Sequence, residues 1–335
     1  MSHQVYLQPS SQQFAARADE TLLAAGLRQD LLLPHGCQSG RCGSCRARLI
    51  SGVIEGESPA LSEAERKAGF LLMCQTRARS DVRLDVLLPP SEALRPRQLP
   101  CRLQSKRWLA HDVLALTLKL PRGTPFAYLP GQYIDLLLAD GQRRSFSIAN
   151  AANGETLTLQ LRITPQGRFA QFAVHELAER SILRFEGPLG AFYLRQDARA
   201  PMLMVGGGTG IAPLRAMLEQ LIHQQNTQPV ALYWGVRAQR DAYLHDELQQ
   251  WAQQHAWLTY QPVLSQADDD WQGRRGWVHL AVLADQPDLR AHRAYLAGPP
   301  LMIHAAKRDF AAAGLASERL HYDAFEDAGT LWRHP

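Results

Sequence analysis

The sequence predicts a multidomain chain in which a small α+β unit, an antiparallel β-barrel and an α/β domain with a parallel sheet follow one another. Three observations predict this. Four prolines within Leu87–Pro100 mark a connector, because proline at that density disfavours helix and central strand. Short alternating segments follow it, as in a barrel. After residue 199, strand, glycine turn and helix repeat in that order, as in a parallel sheet. The expected boundaries are 1–90, a linker at 91–100, 101–198 and 199–335. A chain of 335 residues is too long for one ordinary core.

Composition narrows the function classes. The chain is 20% charged and 46% hydrophobic, as folded proteins are. Its 36 basic against 32 acidic residues give a net charge of only +4. No basic stripe is visible, so no nucleic-acid partner is expected. No run approaches the roughly 18 apolar residues of a membrane span; the best early candidate, Thr21–Leu33, is broken by Arg28 and Asp30. The amino terminus has no charged region followed by an apolar one. A cytoplasmic location is expected.

In the first unit, Gln4–Gln8 and Phe14–Ala18 read as strands around a Pro-Ser turn. Asp19–Arg28 reads as a helix with Asp19 or Thr21 as its cap, and Val82–Leu88 reads as a closing strand. Its chemistry lies in cysteine. Cys37, Cys42 and Cys45 fall within CQSGRCGSC, and Cys74 follows after 28 intervening residues. An odd total of five argues against a disulfide framework. The pattern C-x4-C-x2-C…C suits four thiolates around two bridged irons, a [2Fe-2S] cluster. Gly36, Gly40 and Gly43 leave backbone N–H groups room to face the sulfurs. The alternative, structural zinc, pairs its ligands on two loops, and Cys74 has no neighbouring Cys or His. Cys101, outside the pattern, reads as a plain thiol.

In the barrel, Val113–Leu120, Tyr133–Leu138, Thr156–Ile163 and Ser181–Phe185 read as strands, and Phe169–Glu179 as one helix. Arg143–Asn150, RRSFSIAN, places Arg144 and Phe146 on one strand face and Ser147 on the other. A cation, a flat apolar wall and a hydroxyl are the parts a flavin site uses. Gly167, Arg168 and Phe169 open the helix, where free N–H groups suit a phosphate.

In the last domain, Met202–Val205 reads as a strand and Gly206–Gly210 as a glycine turn. A helix follows with Pro213 in its first turn. This is an anion cradle but not the usual G-x-G-x-x-G, nor a P-loop. Val230–Trp234 and Asp241–Gln253, then Ala294–Ala297 and Ile303–Ala313, repeat strand and helix.

Residues 1 to about 90 resemble a plant-type ferredoxin with the β-grasp fold. That resemblance implies that Cys37 and Cys42 share one iron, and Cys45 and Cys74 the other. Arg144, Phe146, Ser147 and Ile148, with Gly167, Arg168 and Phe169, resemble the R-x-Y-S and G-x-x-S/T elements that hold FAD in the ferredoxin–NADP⁺ reductase superfamily. Phe146 stands for the usual Tyr, and Ala170 for Ser or Thr. GGGTG and AGPPLM resemble its nicotinamide domain, with Ala297 where many members have Cys. The resemblance implies that Gly206, Gly207, Gly208, Thr209 and Gly210 face the dinucleotide pyrophosphate, and that Gly298, Pro299 and Met302 line the nicotinamide side. It implies catalytic roles for Ser147, at the flavin ring edge, and for Phe325, as the late aromatic over the flavin or nicotinamide. Arg237 follows the second strand, where the adenosine ribose is expected, leaving NADH or NADPH open.

The module order resembles oxygenase reductases and, more so, the CDP-6-deoxy-glucoseen reductase type. It implies electron flow from NAD(P)H through FAD and the cluster to a downstream protein, an oxygenase or dehydrase component. A flavin or quinone reductase and a redox-sensing module are the alternatives.

Overall fold

The computed structural model describes residues 2–58, 60–195 and 200–325. The chain forms two compact units. One runs to Arg95 and includes Leu189–Phe192 and Tyr322–Ala324; the other holds the remainder.

The first unit carries a five-stranded sheet in the order Gln13–Arg17, Ser2–Gln8, Val82–Asp85, Arg46–Ser51, Phe70–Leu72. Ser2–Gln8 and Val82–Asp85 are parallel, and the other pairs antiparallel. Alternation drives this layer: Val5, Leu7, Val82 and Leu84 are buried, while their neighbours Gln4, Gln8 and Arg83 are exposed. Helix Leu22–Arg28 packs Leu22, Leu23 and Ala25 on that core. Its start is set by Thr21, whose hydroxyl accepts from Ala24 N–H at 3.2 Å, so the helix begins three residues after Asp19. Ser62 and Glu65 form a capping box on the short helix Glu63–Lys67. Glu65 is buried, and Arg46 meets it at 2.6 Å.

The second unit holds two sheets. The first has the order Arg143–Ser147, Tyr133–Leu137, Ile182–Leu189, Arg97–Ala110, Val113–Lys119, Thr156–Arg162. An antiparallel bridge from Ile148 to Leu159 joins its two ends, which closes the sheet on itself. Leu103, Leu116, Leu118, Ile134, Leu159 and Phe185 fill its interior. Here the proline reading needs correction: the connector gives way at Arg97, and Pro100 lies inside a strand, opposite Arg184. The helix is also shorter than expected, Arg168–His175. Cys101 faces this core, and burial pushes its thiol up to about 12.

The second sheet has the order Arg274–Arg275, Leu258–Leu264, Val230–Val236, Met202–Gly207, Arg293–Gly298, Leu320–Ala324. Its first five strands are mutually parallel. Helices Ile211–His223, His245–Gln254, Val278–Asp285 and Pro300–Ala312 connect them. From Met202–Gly207 the chain steps one way through the sheet and later returns on the other side. The order therefore reverses between Met202–Gly207 and Arg293–Gly298, and a crevice opens at their carboxyl ends.

Candidate functional site

The cysteine loop lies between helix Leu22–Arg28 and strand Arg46–Ser51. Gln38, Gly40 and Gly43 take positive φ, at 54°, 81° and 76°. These left-handed steps turn successive N–H groups inward. The amides of Ser39, Arg41 and Cys42 reach Cys37 Sγ at 3.3–3.4 Å. Those of Cys37 and Ser44 reach Cys42 Sγ at 3.4 and 3.5 Å. Gln75 Nε2 donates to Cys74 Sγ at 3.7 Å.

The thiols lie in two bonded pairs, Cys37 with Cys42 and Cys45 with Cys74. Cys37 is lowered chiefly by its bond with Cys42, and Cys74 by its bond with Cys45. Their partners, Cys42 and Cys45, are raised by the same bonds and by burial. Four sulfurs in two close pairs, supplied with donors that favour thiolate, fit a [2Fe-2S] core. Cys37 is exposed and Cys42 half-buried, while Cys45 and Cys74 are buried. In the same unit, Asp323 is buried; burial and the charge of Cys37 push its carboxyl up to about 7.

In the barrel, Arg144, Phe146 and Ser147 sit half-buried on strand Arg143–Ser147. Arg144 donates to Gln142 Oε1 at 2.5 Å and to the Arg143 carbonyl at 2.9 Å. Ile148 is fully buried and bonds the Gln132 carbonyl. Phe146 packs on Phe169 at 5.4 Å between ring centres, which joins the two flavin-side motifs through one aromatic contact. No side chain caps helix Arg168–His175 at Gly167. A Cβ there would lie 2.8 Å from Thr164 Oγ1 and 3.2 Å from Ala170 Cβ. Bare backbone at an uncapped helix start fits a phosphate. Arg168 itself is exposed.

At the crevice of the parallel sheet the glycine turn and the Gly298 turn are pressed together. A Cβ on Gly210 would lie 2.0 Å from the Ala297 carbonyl oxygen, and one on Gly207 would lie 2.5 Å from Met302 Sδ and 2.9 Å from Pro299. Gly298 has φ +147° and backs onto Gly207. Phe325 N–H donates to the Gly298 carbonyl at 2.9 Å. The structure thus unites Gly206–Gly210, Gly298, Pro299, Met302 and Phe325 in one place.

Several residues there carry no local sequence signal. Arg162, at the end of a barrel strand, places Nη2 3.2 Å from where a Gly208 Cβ would stand. Its other nitrogen bonds Asp112 at 2.6 Å. Arg237, exposed after the second strand, already bonds two carboxylates, Asp112 and Asp241, both at 3.3 Å. Asp241 belongs to a short turn, Gln239–Asp241, so the next helix starts at His245 and not at residue 241. His111, Asp112 and Asp241 bring three potential metal ligands within 4.8 Å of one another. Arg162 and Arg237 already neutralise the two carboxylates, so the group is an ion network tying the barrel to the parallel sheet.

Comparisons with known proteins agree with this geometry. Family models for a 2Fe-2S iron-sulfur cluster binding domain, an oxidoreductase FAD-binding domain and an oxidoreductase NAD-binding domain match residues 5–79, 100–193 and 204–308. A CDP-6-deoxy-L-threo-D-glycero-4-hexulose-3-dehydrase reductase of Yersinia pestis is 40% identical over 97% of this chain and 99% of its own. The chain belongs to the ferredoxin–NADP⁺ reductase superfamily. Within that superfamily, a reductase component of the naphthalene 1,2-dioxygenase/salicylate 5-hydroxylase systems of Ralstonia sp. is 30% identical over 97% of this chain and 99% of its own. The crystal structure of an Amycolatopsis cytochrome P450 reductase superposes with a TM-score of 0.73 at 29% identity, covering 96% of this chain and 98% of that one. The matched domains follow along this chain in the order cysteine loop, barrel and parallel sheet. No helix among the described residues is long and apolar enough to cross a membrane.

Proposed function

We propose that the protein is an NAD(P)H-dependent reductase that delivers electrons singly to a partner protein, a dehydrase or oxygenase component, in the cytoplasm. The observation that carries this reading is one chain with a three-thiol loop paired with Cys74, an uncapped helix start beside Phe146 in a closed barrel, and a double glycine crevice at the switch point of a parallel sheet.

When bound, the flavin accepts an electron pair from the nicotinamide, and the cluster passes electrons on one at a time. The residues do the rest. Cys37, Cys42, Cys45 and Cys74 hold the irons, and the five amides around Cys37 and Cys42 set their potential. Arg144, Phe146, Ser147, Ile148 and the amides after Gly167 would hold FAD, with the Ser147 hydroxyl available as its hydrogen-bonding group. Gly206–Gly210 let backbone approach the dinucleotide pyrophosphate, and Arg162 supplies a positive charge beside Gly208. Gly298, Pro299 and Met302 shape the nicotinamide side, and Phe325 covers it. Arg237 sits toward the adenosine ribose, already engaged by Asp112 and Asp241.

The test separates the two halves of the path. Cys42→Ser removes one thiolate, so cytochrome c reduction by NADH falls to background, while ferricyanide reduction by the flavin persists. If cytochrome c reduction survives in a variant shown to lack acid-labile sulfide, the order of transfer is wrong.

A further inference from the structure

The helix that opens at the glycine turn, Ile211–His223, also grips the barrel. Arg215 and Glu219 stand one turn apart on its surface. Arg215 Nη1 donates to the Ala149 carbonyl at 2.8 Å. Glu219 Oε2 accepts the Ala151 N–H at 2.7 Å. The two side chains bond each other at 3.3 Å, and Arg215 Nη2 is braced by Glu247 at 2.6 Å. The guanidinium also lies 5.3 Å from the centre of the Trp251 ring. Arg215 is only 19% exposed and Glu219 26%.

The gripped segment is short and buried. Ala149 and Ala151 are 0% and 3% exposed. They lie two and four residues beyond Ser147, where the flavin-side strand ends. On the barrel side, Ala149 N–H bonds the Thr158 carbonyl, and Tyr128 Oη donates to the carbonyls of Asn150 and Ala151. The Ala149 carbonyl and the Ala151 N–H instead receive charged partners from the other sheet's helix. Charge-assisted bonds at these lengths are among the stronger ones available to a protein.

We propose that Arg215 and Glu219 are positioning residues for hydride transfer. They fix the glycine turn, through its own helix, against the end of the strand that carries Ser147. Their partners are the Ala149–Ala151 backbone, each other and Glu247, not the residues read as lining the nicotinamide or flavin. This inference rests on the reading of the two motifs as nicotinamide and flavin sites. The helix that opens at the glycine turn makes this link directly, so slack at Arg215 or Glu219 changes the spacing of the two sites without altering either lining. A displacement of about 1 Å between reacting groups costs on the order of 10²-fold in rate.

The test uses the purified holoenzyme and the variants Glu219→Ala, Glu219→Gln and Arg215→Ala. At saturating NADH, stopped-flow flavin reduction should slow by about 10- to 100-fold in Glu219→Ala and Arg215→Ala. The NADH concentration giving half-maximal rate should move less than threefold. Glu219→Gln, which keeps an acceptor for Ala151 N–H, should recover most of the loss. A second readout needs no turnover: amide hydrogen exchange of the peptide spanning 149–151 should accelerate in Glu219→Ala and not in Glu219→Gln. Wild-type reduction rates in both alanine variants, with unchanged exchange, would overturn the clamp. A rise in half-saturating NADH at an unchanged limiting rate would overturn it too, by assigning these residues to binding. A wild-type enzyme that NADH cannot reduce would instead strike the underlying reading of the sites. If Arg215→Ala does not fold, Glu219→Ala against Glu219→Gln decides alone.

Discussion

Replacing Gly210 with alanine tests the nicotinamide crevice at its tightest point. The added Cβ would sit 2.0 Å from the Ala297 carbonyl oxygen, 2.4 Å from its carbon and 2.8 Å from Gly298 Cα. All three are backbone atoms of the neighbouring strand and turn, so no side chain can rotate away. Ordinary contact begins near 3.4 Å, and the turn must back off by about 1.4 Å. Two consequences follow. Overpacking of this kind costs about 1–3 kcal/mol, which lowers the melting temperature by several degrees. The larger effect is on geometry, since a shift of about 1 Å at a reacting centre costs on the order of 10²-fold. Stopped-flow reduction of the flavin by NADH should therefore slow at least that much, while chemical reduction of the flavin and its onward transfer stay intact. Gly154→Ala is the control. Gly154 also has positive φ, +74°, but nothing lies within 4 Å of its would-be Cβ. It should lose about 1 kcal/mol to strain and no hydride-transfer rate. A Gly210→Ala enzyme reduced at the wild-type rate would refute the placement of the crevice.

Three further outcomes are expected. Gln75→Leu removes the side-chain donor to Cys74 Sγ; the cluster potential should fall by about 20–60 mV, the worth of one ordinary hydrogen bond at one electron, in a spectroelectrochemical titration. Arg237 is held by two carboxylates, so a 2′-phosphate must displace them: kcat/KM should favour NADH over NADPH, and Asp112→Asn should narrow the gap. The carboxyl of Asp323 is raised to about 7 from its ordinary 3.8. The folded chain then holds a proton that the unfolded chain has released. Stability from this group is complete below pH 4 and lost as pH rises through 7. Between about pH 4.5 and 7 the urea midpoint of the wild type should fall more steeply with rising pH than that of Asp323→Asn, and above about pH 8 the two should run parallel.

Much of this fold was legible in the sequence, and the reason is period and spacing. The four cysteines announce their chemistry because two irons need four thiolates and a short loop can present three. The strands of the barrel show as alternation, and the parallel strands as apolar runs ending in glycine. Boundaries were less legible. Pro100 reads as linker, yet it pairs across from Arg184, because a strand can accept proline where no ladder N–H is required. The helix after Gly167 stops at His175, where the sequence suggested Glu179.

What the sequence withheld is long-range pairing. Arg162 and Asp112 are 50 residues apart, and Glu219 meets Ala151 across 68. Nothing in either local segment distinguishes these side chains from a solvated surface charge. Arg237 shows the same limit. Its place after the second strand was readable, but the two aspartates that occupy it were not.

The most direct test of the central claim is to count electrons. The enzyme, isolated anaerobically with its cofactors, is titrated with dithionite while absorbance and electron paramagnetic resonance are followed. About three electrons per chain are expected, two at the flavin and one at the cluster, falling to two in Cys42→Ser. NADH should drive the same cluster signal in the wild type. A chain that takes up no electron beyond the flavin's two, or a cluster signal that NADH cannot produce, would contradict it.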